Sequence, residues 1–92
     1  MKYRVKTTRS FGKHLKLCVK RGLDIHALIA VVDILQDGGK LPPKYRQHKL
    51  SGKYQGKWEC HIQPDWLLIW EEDNDQLVLI LVDTGTHSDL FK

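Results

Sequence analysis

Three histidines and one aspartate are the residues best suited to chemistry in this sequence. His48 lies in a basic segment, His61 and Asp65 flank a proline-containing turn, and His87 lies in the C-terminal tail. In an antiparallel meander, the segment before the first strand, the end of that strand and the segment after the last strand can meet on one side of the sheet. The sequence therefore predicts that these four side chains lie together.

Imidazoles and a carboxylate are the groups needed to cut RNA through its own 2′-hydroxyl. A base removes the 2′-OH proton, an acid protonates the leaving 5′-oxygen, and cations stabilise the charge of the phosphorane. Histidine suits both proton roles because its ordinary pKa is about 6.5, and each role typically contributes about 10²- to 10⁴-fold in rate. Lys44, Arg46 and Lys49 are close to His48 in the sequence and are predicted to hold phosphate. This scheme requires no metal and no cofactor.

Two other interpretations of these histidines stay open. Each ring taken alone could be an ordinary hydrogen-bonded residue of the surface or core, as we expect for His14 and His26 on the helices. A His₃ or His₂Asp zinc site has suitable ligand types, but the sequence contains no short-spaced motif such as HExxH.

Four aromatic residues of the C-terminal half could pack in the core or stack on unpaired bases. Trp58 and Trp70 lie within strand-like runs and are predicted to be core residues. Trp66, at a turn, and Phe91, near the end of the chain, are predicted to be base platforms. A stacking contact of this kind is worth about 1 to 3 kcal/mol.

Charge is distributed unevenly along the 92 residues. Residues 1–57 contain 14 Lys and Arg but 3 Asp and Glu, a net charge of +11, whereas residues 58–92 contain 1 and 8, a net charge of −7. This division indicates either a basic face for a polyanion or a solvated surface whose charges happen to segregate.

Length and composition exclude several classes of protein. A chain of 92 residues predicts one domain, residues 1–92, and excludes a multidomain enzyme. No run of about 18 apolar residues exists, and the N-terminus lacks the apolar core of a signal peptide, so we expect a soluble, intracellular protein. Cys18 and Cys60 form no CxxC pair and are expected to be reduced core or edge residues.

The N-terminal part predicts one strand and two helices. Residues 3–7 alternate as a strand does, and Ser10 is a candidate cap for an amphipathic helix that ends near Gly22. The apolar face of this helix comprises Phe11, Leu15, Cys18 and Val19. Asp24 is predicted to cap a second helix that ends near Asp37 and is apolar nearly all round, so we expect it to be well buried.

The C-terminal part predicts a three-stranded meander. Residues 39–52 show no periodicity and are expected to form a long loop, and strands are predicted at about 54–62, 66–71 and 76–82. The tail, residues 83–92, is polar apart from Leu90 and Phe91. The predicted order is β-α-α-β-β-β, an α+β fold with two N-terminal helices packed on a mainly antiparallel sheet.

Three blocks of sequence resemble the YafQ-type branch of the RelE/ParE toxin superfamily. They are residues 45–50 (YRQHKL) with Gly52, residues 61–66 (HIQPDW) and residues 84–87 (TGTH) with Leu90 and Phe91. The resemblance extends over essentially the whole chain and implies a RelE-like fold. It also implies a cytoplasmic toxin of a type II toxin–antitoxin pair, an endoribonuclease that cuts mRNA in the ribosomal A site. Its expected partners are the ribosome, mRNA and a small cognate antitoxin.

The same resemblance implies roles for individual residues. His48, His61, Asp65 and His87 match the catalytic set proposed for the family, with His87 as candidate acid, His48 or His61 as base and Asp65 as an orienting partner. Trp66 and Phe91 match flanking functional positions. Glu59 stands where the branch can carry Asp.

The basic stripe of the first helix acquires a hypothetical role from this resemblance, which is docking to ribosomal RNA. The stripe comprises Arg9, Lys13, Lys16 and Lys20. Other branches use Lys, Arg and Tyr in place of the histidines, and the ParE branch poisons DNA gyrase. A non-nucleolytic gyrase inhibitor and a plain RNA-binding module therefore stay open as alternatives. The sequence gives no codon preference.

Overall fold

The computed structural model describes residues 2–91, which form three α-helices around a five-stranded sheet. The strands are β1 (Arg4–Thr7), β2 (His48–Lys49), β3 (Trp58–Gln63), β4 (Trp66–Asp73) and β5 (Val78–Gly85). The helices are α1 (Arg9–Lys20), α2 (Ile25–Gln36) and α3 (His87–Leu90), and short 3₁₀ turns occupy Pro43–Tyr45 and Gly52–Tyr54.

The sheet order is β1-β5-β4-β3-β2, with β1 parallel to β5 and all other pairs antiparallel. This confirms the α+β class and the mainly antiparallel sheet. The predicted element order is incomplete, because β2 lies inside the segment expected to be a loop and α3 lies inside the polar tail. A strand of two residues and a helix of a single turn are too short to show the period of a strand or of a helix.

Helix α1 begins earlier than a cap at Ser10 predicts. The hydroxyl of Thr8 is the cap and accepts from the backbone N–H of Phe11 at 3.0 Å. The Ser10 hydroxyl instead donates to Asp83 of β5 at 2.9 Å, and His14 contacts the same carboxylate at 2.6 Å. These two contacts attach α1 to β5. Val19, expected on the buried face, is 53% exposed.

Helix α2 begins where Asp24 predicts, since its carboxylate accepts from the N–H of His26 at 2.9 Å. The expectation that α2 is well buried is wrong. Only one stripe of the helix, Leu28, Val31 and Leu35, is buried, and Ile29 is 47% exposed. A helix packed on one side of a sheet buries one stripe, whatever the composition of its other faces.

The alternation of β4 divides the core between the two faces of the sheet. Trp66, Leu68 and Trp70 pack with the buried residues of α1 and α2. Leu67 and Ile69 point the other way, where Leu90 of α3, Leu50 and Tyr54 cover them. The second face is therefore covered by α3 and by the segment around the second 3₁₀ turn. Both of these segments lie against the central strand β4.

Both cysteines are buried and free, as predicted. Burial raises the pKa of the Cys60 thiol to about 12.

No helix within residues 2–91 is long and apolar enough to cross a bilayer.

Candidate active site

Three imidazole rings form a row at one end of the sheet. The ring centroids of His48 and His61 are 6.4 Å apart, and those of His61 and His87 are 5.6 Å apart. His61 is therefore the middle ring. Asp65 is bonded to His87, so the four residues singled out in the sequence lie together.

His48 lies between a backbone carbonyl and a buried carboxylate. Arg46 adopts a left-handed conformation (φ 51°), and its carbonyl oxygen lies 2.8 Å from His48 Nδ1. On the other side, Nε2 lies 3.2 Å from Glu59 Oε1. Only the Nδ1 contact has the geometry of a hydrogen bond, and the Nε2 contact with the carboxylate is a close approach without that geometry. The Arg46 carbonyl and the Glu59 carboxylate thus fix the direction of the His48 ring.

Glu59 supplies the negative charge opposite His48. It is 4% exposed, it stands across from His48 in the β2–β3 pairing, and its Oε2 has no hydrogen-bond partner within residues 2–91. A buried carboxylate is costly unless it is paired. Sequence reasoning assigned Glu59 no role of its own, and the signal that could have found it is the cross-strand pairing created by the unpredicted strand β2.

His61 presents a different arrangement of its ring nitrogens. It lies near the end of β3, is half-buried, and its Nδ1 lies 3.3 Å from the carbonyl oxygen of Pro64. A carbonyl oxygen accepts only, so Nδ1 carries the proton in this contact and Nε2 is left with a lone pair. His61 is therefore arranged to accept a proton at Nε2.

His87 and Asp65 form a doubly bonded unit. Asp65 Oδ1 accepts from the backbone N–H of His87 at 3.0 Å and from its ring Nδ1 at 2.7 Å. These bonds hold the pKa of the Asp65 carboxyl below its ordinary value, the backbone N–H contributing most. An ionised Asp65 fixes Nδ1 as a donor and orients the ring, so Nε2 is the nitrogen of His87 that is left to exchange a proton.

A cleft of about 420 Å³ opens beside His61. Its walls include Lys44, Arg46, Tyr45 and Gln63, so two of the three cations predicted to hold phosphate face it. Lys49, the third, lies elsewhere, with its ammonium 5.3 Å from the ring centroid of Trp58. The cleft therefore brings two cationic side chains to the side of His61.

The two predicted base platforms have different surroundings. Trp66 is 1% exposed and its indole N–H donates to the Thr84 hydroxyl at 2.9 Å, so the prediction that it stacks on a base is wrong. Its position at a turn was misleading because the ring points into the core beneath the helices. Phe91 is 45% exposed and lies edge-on to Tyr54 at 5.7 Å between centroids.

The basic stripe of α1 is exposed along its length and ends beside α3. Its four members, Arg9, Lys13, Lys16 and Lys20, lie on the exposed surface of the helix. Arg21, the next residue, binds Asp89 of α3 at 2.7 Å. The stripe therefore leads to the element that carries His87.

The described residues contain no ready ligand set for a metal ion. Within residues 2–91 no group of three His, Cys, Asp or Glu side chains is arranged to hold one. His48, His61 and His87 are spread along a row, and ring nitrogens of His48 and His87 lie within 3.2 Å of carboxylate oxygens.

Comparison with known proteins gives consistent matches over nearly the whole chain. The family model described as "Bacterial toxin of type II toxin-antitoxin system, YafQ" matches residues 3–92. The mRNA interferase toxin YafQ of Escherichia coli K12 is 37% identical over 82 residues, which cover 88% of this chain and 87% of that protein.

Solved structures show the same similarity in three dimensions. The crystal structure of YafQ from E. coli BL21(DE3) superposes with a TM-score of 0.91 at 30% identity, covering 98% of this chain and 99% of that one. YafQ in the E. coli DinJ–YafQ toxin–antitoxin complex superposes with a TM-score of 0.88 at 30% identity and covers 100% of both chains.

Proposed function

The chain belongs to the YafQ family of toxins of bacterial type II toxin–antitoxin systems, and we propose how such an mRNA interferase divides the chemistry among its residues. The proposed reaction is attack of a ribose 2′-oxygen on the adjacent phosphate, which releases the 5′-oxygen of the next nucleotide. The observation that carries the proposal is the row of three imidazoles, each with a different hydrogen-bond partner. The chain's own side chains supply every proton transfer in this scheme.

His61 is the general base in this proposal. Its Nε2 has the lone pair that takes the 2′-OH proton, because Nδ1 donates to the Pro64 carbonyl. His48, the other residue that the sequence left open for this role, has Nδ1 bonded to the Arg46 carbonyl and Nε2 turned toward the Glu59 carboxylate at 3.2 Å. The base therefore comes from the middle of the row, next to the cleft lined by Lys44 and Arg46.

His87 is the general acid. With Asp65 bonded to Nδ1, the ring is oriented and its Nε2–H can protonate the leaving 5′-oxygen. The centroids of His61 and His87 are 5.6 Å apart, so both rings can act on the same phosphate. A pair of this kind lets the 2′-oxygen attack from one side while the 5′-oxygen departs on the other.

His48 supplies positive charge. The phosphorane carries one more negative charge than the starting diester, and a fixed cation in a partly buried site stabilises it more strongly than a cation in water. Glu59 holds the His48 ring in place through β2 and β3. Lys44 and Arg46 add charge in the neighbouring cleft, and Phe91 offers an exposed ring for a flanking base.

The ribosome and a cognate antitoxin are the proposed macromolecular partners, and the cytoplasm, where mRNA is translated, is the proposed location. The structure of the E. coli relative with DinJ supports an antitoxin partner for this chain. The exposed stripe Arg9, Lys13, Lys16 and Lys20 supports docking to ribosomal RNA, because a row of cations on one helix can follow a phosphate backbone.

Mapping message ends in a reconstituted translation reaction tests this proposal. Wild type, His87→Gln and His26→Gln are compared, with His26 chosen because it is an exposed histidine on α2 outside the site. We expect cuts within codons by wild type and His26→Gln, in the presence of ribosomes, and loss of about 10²- to 10⁴-fold in rate for His87→Gln. An intact message with folded wild-type protein would contradict the proposal and favour a gyrase inhibitor or an RNA-binding module.

A further inference from the structure

Helix α3, which carries His87, is too short to be stable without contacts from the rest of the protein. Helix α3 has four residues, His87–Leu90, and a helix of one turn is not stable in isolation. His87 is its first residue, so the direction of the ring depends on what fixes the start of this turn.

Asp89 is the centre of the contacts that fix it. Its Oδ2 accepts from the backbone N–H of Thr86 at 2.9 Å, and its own N–H donates to the Thr86 hydroxyl at 3.2 Å, which completes a capping box. The Arg21 guanidinium approaches the same carboxylate with two nitrogens, at 2.7 and 3.3 Å. Arg21 first, and Thr86 second, hold the pKa of Asp89 well below its ordinary value.

Gly85 allows the carboxylate to come this close. Its φ is +149°, and a Cβ built there would lie 2.8 Å from Asp89 Oδ2 and 2.9 Å from Asp89 Cβ. A side chain at position 85 would therefore push Asp89 away from Thr86. The backbone before His87 and the carboxylate after it are packed against each other.

Arg21 connects this turn to a much larger element. It is the C-cap residue of α1, and its own N–H is bonded to the Leu17 carbonyl at 3.0 Å. Helix α1 is itself fixed to β5 through Ser10 and His14. The start of α3 is thereby braced from a second side, in addition to the bonds that Asp65 makes to His87.

We propose that Arg21 and Asp89 are positioning residues for RNA cleavage. Together they hold the Thr86–His87 backbone, which fixes the orientation of the His87 imidazole. The inference rests on the proposed role of His87 as acid. Neither residue needs to touch RNA. The pair acts through the capping box, so its removal lowers the rate of the chemical step and leaves ribosome binding unchanged.

Single-turnover cleavage on programmed ribosomes separates positioning from docking. We expect Arg21→Ala and Asp89→Ala to lower the rate at saturating ribosomes by about 10- to 100-fold, with the half-saturating concentration unchanged. Arg21→Lys, with one cationic group, and Asp89→Asn, which still accepts from Thr86, lose less. Arg4→Ala is the matched control, because Arg4 is exposed on β1 at the edge of the sheet and outside this cluster.

A higher half-saturating concentration for Arg21→Ala at an unchanged saturating rate would overturn the proposal and make Arg21 a ribosomal RNA contact. Unchanged kinetics in both alanine variants would overturn it as well.

Amide hydrogen exchange of the free protein gives a readout that does not depend on cleavage. In Arg21→Ala we expect the amides of Thr86 and His87 to exchange about 10-fold faster, while amides in the middle of β4 keep their wild-type rates. If β4 also loosens, the milder variants Arg21→Lys and Asp89→Asn carry the test. Unchanged exchange at Thr86 and His87 would refute the positioning role even if the wild type did not cleave RNA.

Discussion

His48, His61 and His87 carry the same imidazole, yet each ring faces a different partner. A carbonyl and a carboxylate flank His48, a carbonyl faces one nitrogen of His61, and a carboxylate holds one nitrogen of His87. Those partners decide which nitrogen carries a proton, and hence which ring can accept or give one. The spacing of histidines in a sequence contains no information of this kind.

Glu59 provides a test of the role assigned to His48. In Glu59→Gln the side chain keeps its shape but loses the charge that faces the His48 ring at 3.2 Å. We expect single-turnover cleavage to fall by about 10- to 100-fold, because a fixed cation near the phosphorane is weakened. Stability should stay the same or rise, since removing a buried charge with an unpaired oxygen relieves desolvation.

Thermal unfolding at pH 7 and the cleavage rate together check this prediction, and Glu71→Gln on β4 is the matched control. A Glu59→Gln variant that cuts RNA at the wild-type rate would show that the charge on His48 is not used. A variant that fails to fold would contradict the expectation that the substitution leaves stability unchanged or raises it.

The elements with a repeating pattern, including the four-residue strand β1, could be predicted from the sequence, whereas β2 and α3 could not. Helices α1 and α2 and strands β3, β4 and β5 are long enough for their apolar residues to repeat, so their existence and order followed from periodicity. Strand β2 has two residues and α3 has four, and both depend on partners far away in sequence, namely Glu59 and Trp58 for β2 and Arg21 for α3. These two short elements carry His48 and His87.

Burial was hardest to predict where composition and position pointed in different directions. The apolar composition of α2 suggested full burial, but only the stripe facing the sheet is covered. Trp66 lies at a turn, which suggested exposure, but the alternation of β4 directs its ring into the core with Leu68 and Trp70. The fold decides such cases through which face a residue occupies, and that is a property of the assembled sheet.

The attachment of α3 predicts a change in acid stability. Arg21 and Thr86 lower the pKa of Asp89 in the folded state. The ionised carboxyl therefore stabilises the fold at pH values above 3.8, which is the ordinary pKa of the group. This contribution is present at neutral pH and is lost progressively as the pH falls below about 4. Asp89→Asn lacks the ionised group, so we expect a flatter decline of stability in acid.

Urea unfolding at pH 7 and at pH 3 measures this difference. Wild type should lose more free energy of unfolding between the two pH values than Asp89→Asn does. Asp75→Asn, in the exposed turn between β4 and β5, should decline as the wild type does. Equal declines for wild type and Asp89→Asn would mean that Asp89 is not linked to folding in this way.

The division of charge along the chain predicts how the whole molecule approaches RNA. The exposed cations of α1 lie on the +11 part of the chain and lead toward α3. Cations that bind phosphate displace counterions from RNA, so removing such cations makes binding less dependent on salt. Reversing Lys13, Lys16 and Lys20 to Glu should weaken ribosome binding strongly at low salt and flatten its salt dependence.

Ribosome binding measured from low to physiological salt checks this expectation. The matched control is a charge reversal of the same size at the β1 edge of the sheet, at Lys2, Arg4 and Lys6, which should have a much smaller effect. If the two triple variants bound ribosomes equally well, the net charge of the protein, and not the position of the α1 stripe, would account for its binding to the ribosome.

The assignment of His61 as base and His87 as acid is tested most directly by changing the leaving group of the message. A message with sulfur in place of the 5′-oxygen at the cut site releases a thiolate, which departs without being protonated. On this message His87→Gln should recover most of the wild-type cleavage rate, because its missing proton is no longer needed. His61→Gln should stay slow on both messages, because the 2′-OH proton must still be removed. Rescue of His61→Gln, or continued inactivity of His87→Gln on the sulfur message, would contradict the assignment.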